Sequence, residues 1–541
     1  MNKFHKALHQ LDHFIGQKMQ EYHTPGLAIA ITDREQLLHI CTYGKADITA
    51  DIPVTTETLF PIASISKSFT SIALLQLYQA GQLDLHAPVT QYLPWFGVKS
   101  IYKPITIHHL LSHTAGIITG RDFTPNSHYE VVALAQSSAT SPPGEYFHYS
   151  NVGYKALGCV LEHLISQSYA EILRQRILQP LGMINTEPAI TNAIRNRLAV
   201  GYQRFYDDRP YSQNYPLVPA PWLEYGAADG SIASTPLDMA IYLRFLLNKG
   251  RTSSRQIISE NSFNLMVQPV IKVNQTEEVF YGYGLAIEKS NNHNYILHHG
   301  GTIGHLSNIT FDLDNGLGVV VLCNRPGNPG EISRVALQLI TAELSGQELP
   351  SLPAINHPTV IENANDYAGT YLGDNKQLTF IVQNQHLILE YQDTQIILER
   401  RYGDSFYVNH TEFALFLLTF KRSDNQVVEV FYGEQWYAIA RYTQTKTFDY
   451  PPQWLAYTGH YRSHNPWYSN FWIILRQDKL WIIYPVWGDG EVLVPQGNGV
   501  FRIGEDERSP ERIKFDSMIS DRALRATISG CDYYRTFSSN S

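Results

Sequence analysis

The sequence predicts an α+β protein, with a half that mixes helices and strands followed by two small antiparallel β-barrel-like repeats. Three observations carry this. Residues 1–345 alternate helical and strand patterns. Pro350, Pro353 and Pro358 then cluster in a segment that reads as a linker. Beyond it the pattern is almost all strand, and it repeats itself.

In the first half, residues 26–32 and 37–42 are apolar runs around a polar turn, which predicts a hairpin. Residues 66–80 predict a mostly buried helix, with Phe69, Ile72, Ala73 and Leu77 on one side and Gly81 as its stop. Further helices are expected at 152–167 and 236–248, a strand at 318–322 and a closing helix at 334–344.

In the second half, Tyr367-Ala368-Gly369-Thr370-Tyr371 returns about 90 residues later as Tyr457-Thr458-Gly459-His460-Tyr461. Residues 379–391 match 472–484 in apolar pattern, turn position and final tyrosine. Pro451-Pro452 separates the copies. Each copy can close as a small barrel, which removes exposed strand edges. The expected domains are 1–347, 360–447 and 453–541. The repeats are either structural modules or elements that restrict access to a site.

The 541 residues fit about three domains. The chain is 44% hydrophobic and 17% charged, as expected of a globular protein with a sizeable core. The net charge of −9 and the absence of a Lys/Arg run argue against nucleic acid as partner. The 34 tyrosines favour β-rich regions. The polar, mixed-charge start lacks the apolar region of a signal peptide, and no apolar run reaches the ~20 residues of a membrane span. Cys41, Cys159, Cys323 and Cys531 are scattered, which fits buried thiols in a reducing compartment. The expectation is a cytoplasmic protein without a membrane partner.

The chemistry rests on three motifs. Ser64-Ile65-Ser66-Lys67 opens the buried helix and puts Ser64 and Lys67 on one face. Serine is a weak nucleophile until a base takes its proton, and a lysine with a lowered pKa can be that base. Ser100-Ile101-Tyr102-Lys103 has the same spacing and reads as surface. The second motif is Tyr149-Ser150-Asn151, after the turn Pro142-Pro143-Gly144. Its tyrosine can carry a proton to a leaving group, and its asparagine can orient a substrate amide and the lysine. The third, His298-His299-Gly300-Gly301-Thr302-Ile303-Gly304, follows an apolar segment. Glycines on a strand let a substrate backbone approach, and an N–H there could join that of Ser64 in an oxyanion hole. Taken alone it is an ordinary Gly-rich turn.

In this order the motifs resemble the class C β-lactamase and penicillin-binding-protein superfamily of serine acyl-enzyme hydrolases. The segments 107–116 (IHHLLSHTAG), 180–183 (PLGM), 230–235 (GSIAST) and 283–285 (YGL) are similar to the same family, and the resemblance covers roughly residues 10–340. It implies a β-lactamase/DD-peptidase-like catalytic domain, an antiparallel sheet flanked by helices. The C-terminal repeats resemble the lipocalin-like barrels of D-aminopeptidases and D-residue-specific peptidases in that superfamily. The resemblance implies Ser64 as acylated nucleophile, Lys67 and Tyr149 sharing base and acid work, and Asn151 holding the substrate amide and Lys67. It places the Ser64 and Gly301 N–H groups at the oxyanion. His298 and Gly300 would stand where the family has the lysine and glycine of K-T-G.

Two departures bear on substrate. His298 replaces a permanent cation by a group of ordinary pKa about 6.5, which weakens the grip on the carboxylate of β-lactams and cell-wall peptides. Asp229 puts an acid where the family is commonly small. It would attract a substrate ammonium if it faces the cleft and do nothing if it faces solvent. His113 reads as a satisfied structural histidine rather than a catalytic one. His108 and His109 cannot both face one metal, and no metal or cofactor is expected. The expected function is hydrolysis of amide, peptide or ester bonds in a small-molecule or short-peptide substrate, with a D-amino-acid-specific peptidase as one form. The alternatives are a carboxylesterase or weak β-lactamase and, in a different class, a non-turnover penicillin-binding-like sensor. The repeats also raise a homo-oligomer.

Overall fold

The computed structural model describes residues 4–120, 126–290, 293–355, 357–374, 376–442 and 448–537. The expected bounds at 1, 447 and 541 lie outside these. The chain forms two compact units: Met1–Gln203 with Leu217–Ala354 and Glu507–Pro510, and Arg204–Pro216 with Ile355–Asp506 and Glu511–Ser541.

The first unit is built on a nine-stranded antiparallel sheet. Its spatial order is Ile52–Pro53, Leu37–Asp47, Gly26–Thr32, Leu317–Cys323, His305–Asp312, His293–Thr302, Ala286–Ser290, Val279–Tyr281, Ile271–Lys272. Gly26–Thr32 and Leu317–Cys323 are buried at every position, so both read as continuous apolar runs instead of alternating ones. Successive side chains point to opposite faces. Leu27, Ile29, Ile31, Val319 and Val321 pack with the helices His5–Tyr22 and Pro329–Leu344. Ala28, Ala30, Val320 and Leu322 join the larger core with the helices Ser66–Gln79, Asn151–Ile165 and Pro236–Leu247.

The expected helices and hairpin are present, with shifted ends. Gly81 takes φ +70° just beyond Ser66–Gln79, a left-handed stop that glycine adopts without strain. The closing helix starts earlier than residue 334. The Asn328 side chain accepts the Glu331 N–H, and Pro329 fits the first turn. The polar first residues hide the helix His5–Tyr22. Its buried stripe of Ala7, Leu11, Phe14 and Ile15 has helical spacing, and Lys18 completes it by pairing with Glu21 (2.9 Å) and Glu331 (3.1 Å).

The second unit holds two closed antiparallel barrels of eight strands each. The first runs from Gly369–Leu372 to Gln435–Ile439 and closes through Tyr371 opposite Ile439. The second runs from Gly459–Arg462 to Cys531–Arg535 and closes through Tyr461 opposite Arg535. The repeated motif does the same job in both. Tyr371 and Tyr461 are fully buried, and each hydroxyl donates to a carbonyl four residues back, Tyr367 (3.1 Å) or Tyr457 (2.8 Å). Side chains fill the interiors, as expected at eight strands; Tyr371, Phe380, Phe406 and Phe420 interlock edge-to-face in the first.

Truncating Phe406, which has no exposed surface, should leave a cavity in the first barrel. Phe406→Ala is expected to cost about 3–5 kcal/mol in urea denaturation. A loss below about 1 kcal/mol would show that the barrel interior collapses around the gap.

Candidate active site

Ser64 sits in the turn Ala63–Ile65, which runs directly into the helix Ser66–Gln79. Ala63 takes φ +48°, a strained conformation for a residue with a side chain, and its surroundings hold it there. Ile62 N–H donates to the Ile232 carbonyl (2.9 Å). Ile232 N–H donates to Ser66 Oγ (3.2 Å), and Ser307 Oγ donates to the Ile62 carbonyl (2.9 Å). The turn that carries Ser64 is thereby tied to the 230–235 segment and to the sheet.

Lys67 has no exposed surface. Its Nζ donates to Ser64 Oγ (3.0 Å), Asn151 Oδ1 (2.9 Å) and the Asp229 carbonyl (2.7 Å). Burial lowers its pKa to about 7; the Asp229 carboxylate pulls the value up and the Lys155 ammonium pushes it down.

Tyr149 and Asn151 are positioned by the start of the helix Asn151–Ile165. Ser150 caps it, accepting the Gly153 N–H (3.1 Å) and donating to the Ile118 carbonyl (2.7 Å). Asn151 N–H donates to the Thr119 carbonyl (2.8 Å). The Tyr149 hydroxyl lies near Ser64, and the Tyr149 ring centroid lies 4.8 Å from Lys67 Nζ. Burial holds the phenol well above its ordinary pKa, so it is protonated at neutral pH. His113 packs behind Tyr149, with ring centroids 4.2 Å apart, and its Nδ1 accepts the Ser150 N–H (3.0 Å). Nε2 therefore carries the proton, and it has no hydrogen-bond partner among the described residues. His113 is thus only half satisfied, and burial keeps it neutral.

His298, Gly300 and Gly301 stand on the strand His293–Thr302. Nδ1–H of His298 donates to the His299 carbonyl (2.7 Å), and Nε2 accepts the Tyr281 hydroxyl (2.9 Å). Burial and then the nearby Lys67 charge lower the His298 pKa to about 3, so no cation stands here. Gly300 runs against the backbone that leads into the Ser64 turn; a Cβ there would lie 2.1 Å from Ser307 Oγ and 2.2 Å from the Ile62 carbonyl oxygen. Gly284 likewise passes over the Lys67 backbone at φ +74°, where a Cβ would lie 2.8 Å from the Lys67 carbonyl. The neighbouring strand Ala286–Ser290 pairs only as far as Leu297. Thr302 pairs His305 across a two-residue turn, so alternation directs the Gly301 N–H to that vacated side. Ser64 N–H lies in the turn Ala63–Ile65, directly before the helix Ser66–Gln79.

Asp229 is buried, not solvent-facing. Its carboxylate accepts the Tyr225 hydroxyl (2.6 Å) while its carbonyl holds Lys67. Lys155 pairs with Glu130 at 2.5 Å, both buried. Tyr281, Tyr225, Lys155 and Glu130 carry no motif; they enter the site only through tertiary packing. Ser100 and Lys103 are exposed. His108 Nδ1 meets the Tyr283 hydroxyl (2.6 Å), and His109 caps its own helix with Thr106. Among the described residues no cluster could hold a metal ion, no helix is long and apolar enough to cross a membrane, and the four cysteines are free.

The family model described as Beta-lactamase matches residues 11–343. Protein flp of Staphylococcus aureus (strain N315) is 27% identical over 326 residues, 58% of this chain and 62% of flp; the chain therefore spans about three-fifths of that relative. Penicillin-binding protein 4* of Bacillus subtilis (strain 168) is 28% identical over 416 residues, 71% of this chain and 87% of the relative. The octameric penicillin-binding protein homologue from Pyrococcus abyssi aligns with a TM-score of 0.59 and 27% identity, covering 80% of this chain and 99% of that one.

Asp229→Asn removes the charge that raises the Lys67 pKa while keeping the carbonyl that holds its amine. Labelling of Ser64 by a fluorophosphonate should speed up as pH rises through about 7, and in the variant this limb should move to lower pH. An unmoved limb would show that Lys67 does not control Ser64.

Proposed function

Because the chain belongs to the Beta-lactamase family, we propose that it is a serine hydrolase that cleaves amide, peptide or ester bonds through an acyl-Ser64 intermediate. One observation carries this reading: a fully buried lysine amine, with a pKa near 7, lies 3.0 Å from Ser64 Oγ. In its neutral form Lys67 accepts the Ser64 proton as Oγ attacks the substrate carbonyl. The Ser64 and Gly301 N–H groups bind the oxyanion. Tyr149, kept as a neutral phenol, gives its proton to the leaving group and is reprotonated by the Lys67 ammonium. Asn151 holds Lys67 and the substrate amide. In deacylation the neutral Lys67 amine, relayed by Tyr149, takes a proton from the attacking water, and the lysine ammonium returns it to Ser64 Oγ as the acyl–Oγ bond breaks.

The neutral His298 supports peptides, amides and esters over β-lactams, because it offers a carboxylate no charge-assisted bond. This selects neither D-amino-acid peptides nor simple esters. Comparing the two in Tyr149→Phe separates them, since the poorer amine leaving group depends more on a proton donor. The octameric Pyrococcus abyssi homologue supports a homo-oligomeric state, which a strictly monomeric mass in light scattering would rule out.

Wild-type protein is expected to turn over 4-nitrophenyl acetate or a D-amino-acid 4-nitroanilide, with Ser64→Ala reduced at least about 10³-fold. Equal rates would overturn the reading, and a stable Ser64 adduct without product release would favour the sensor instead. A chromogenic cephalosporin should be a poor substrate. His298→Lys is expected to raise its kcat/KM relative to that of the ester by about tenfold.

A further inference from the structure

The first unit contains a cavity of about 180 Å³ with Pro61, Tyr225 and Thr302 on its walls. Ile190, Leu198, Trp222, Tyr225 and Ile303 line it, and Arg195 stands at its wall. Its position ties it to the reacting atoms. Pro61, on one wall, is three residues before Ser64, a chain distance of at most about 10 Å. Thr302, on another, directly follows Gly301. Tyr225 donates to the carboxylate of Asp229, whose carbonyl holds Lys67.

The walls define what fits. A cavity of roughly 150 Å³ lined by apolar side chains accepts benzene, so this one has room for an aromatic ring or a branched aliphatic group. Among the described residues, no aspartate or glutamate lines it. Glu224 follows in sequence, but its carboxylate accepts the Asn192 N–H (2.6 Å). His305 is neutral, with Nε2 directed at the Ala199 carbonyl (2.9 Å). The one cation is Arg195. Its guanidinium lies 5.1 Å over the Trp222 ring and pairs with no carboxylate among the described residues, whereas the neighbouring Arg197 pairs with Glu187 (3.0 Å).

We propose that this cavity is the acyl-side subsite and that it selects an apolar, ring-sized acyl group ending in a carboxylate, which Arg195 binds. The inference rests on the acyl-enzyme reading above. An ammonium on the same acyl group would meet Arg195 with no acid to receive it. The cavity therefore disfavours substrates whose acyl portion carries a free amine at that end. The cation that His298 does not supply is supplied by Arg195, on the acyl side of the scissile bond.

The test uses four 4-nitrophenyl esters: acetate, (4-carboxyphenyl)acetate, its uncharged (4-carbamoylphenyl)acetate counterpart and (4-aminomethylphenyl)acetate. Wild type should favour the carboxy over the carbamoyl ester in kcat/KM by about fivefold, the range of an exposed ion pair, and about 0.5 M salt should shrink the preference. In Arg195→Gln the ratio should fall to about one. Trp222→Ala should lower the carboxy and carbamoyl esters relative to acetate by about tenfold. A wild-type ratio of one, a ratio unchanged in Arg195→Gln, or preference for the aminomethyl ester would overturn the inference while the acyl-enzyme reading stands. Absence of Ser64-dependent turnover on every ester would overturn both.

Discussion

The first unit depends on burying one amine. Removing an ammonium from water costs several kcal/mol, and a group so placed tends to give up its charge instead. Lys67 is held near that boundary. Three oxygen acceptors stabilise the ammonium, burial opposes it, and a pKa near 7 is the balance. The balance needs every acceptor in place. Asn151 depends on the Ser150 cap, the Asp229 carbonyl on the loop before Ser231, and Ser64 on the strained Ala63 turn. Each belongs to a different segment of chain, which explains why the motifs lie so far apart in sequence.

The same constraint explains the glycines. The amine stays dry only if strand and loop backbone press against the turn and helix that carry Ser64 and Lys67. Gly300 meets the Ile62 carbonyl and Gly284 the Lys67 carbonyl, at distances that leave no room for a Cβ. Gly301 differs. A Cβ there would make ordinary contact with Leu306 at 3.5 Å, so packing does not require a glycine at 301, and any non-proline residue would direct the same N–H.

Local chemistry made much of this legible in the sequence. Ser64 and Lys67 share a helix face, Gly81 stops that helix, and the Tyr-x-Gly-x-Tyr repeat marks the tyrosine that closes each barrel. These features depend on spacing within a few residues. What stayed hidden depends on contacts between distant segments. The helix His5–Tyr22 lacks an apolar majority, and its buried stripe matters only once Pro329–Leu344 packs against it. Tyr281 is one tyrosine among 34 until the sheet brings it to His298. Asp229 contributes through its carbonyl, which every residue has, so its identity does not reveal that role. Its carboxylate satisfies Tyr225, an arrangement that fits neither a cleft-facing nor a solvent-facing acid.

The electrostatics then follow from the lysine. A second cation beside Lys67 would drive its pKa lower still and raise the cost of the buried pair. The structure avoids this at position 298. Its histidine is locked as a neutral tautomer, donating from Nδ1 and accepting at Nε2, and the Lys67 charge helps to keep it so. Lys155, the other buried cation nearby, is matched by Glu130, and the Asp229 carboxylate offsets Lys67 itself. The cluster around Lys67 is therefore a set of near-neutral donors and acceptors. Proton movement between Ser64, Lys67 and Tyr149 needs no change in net charge, and recognition of a charged substrate must come from groups outside that set.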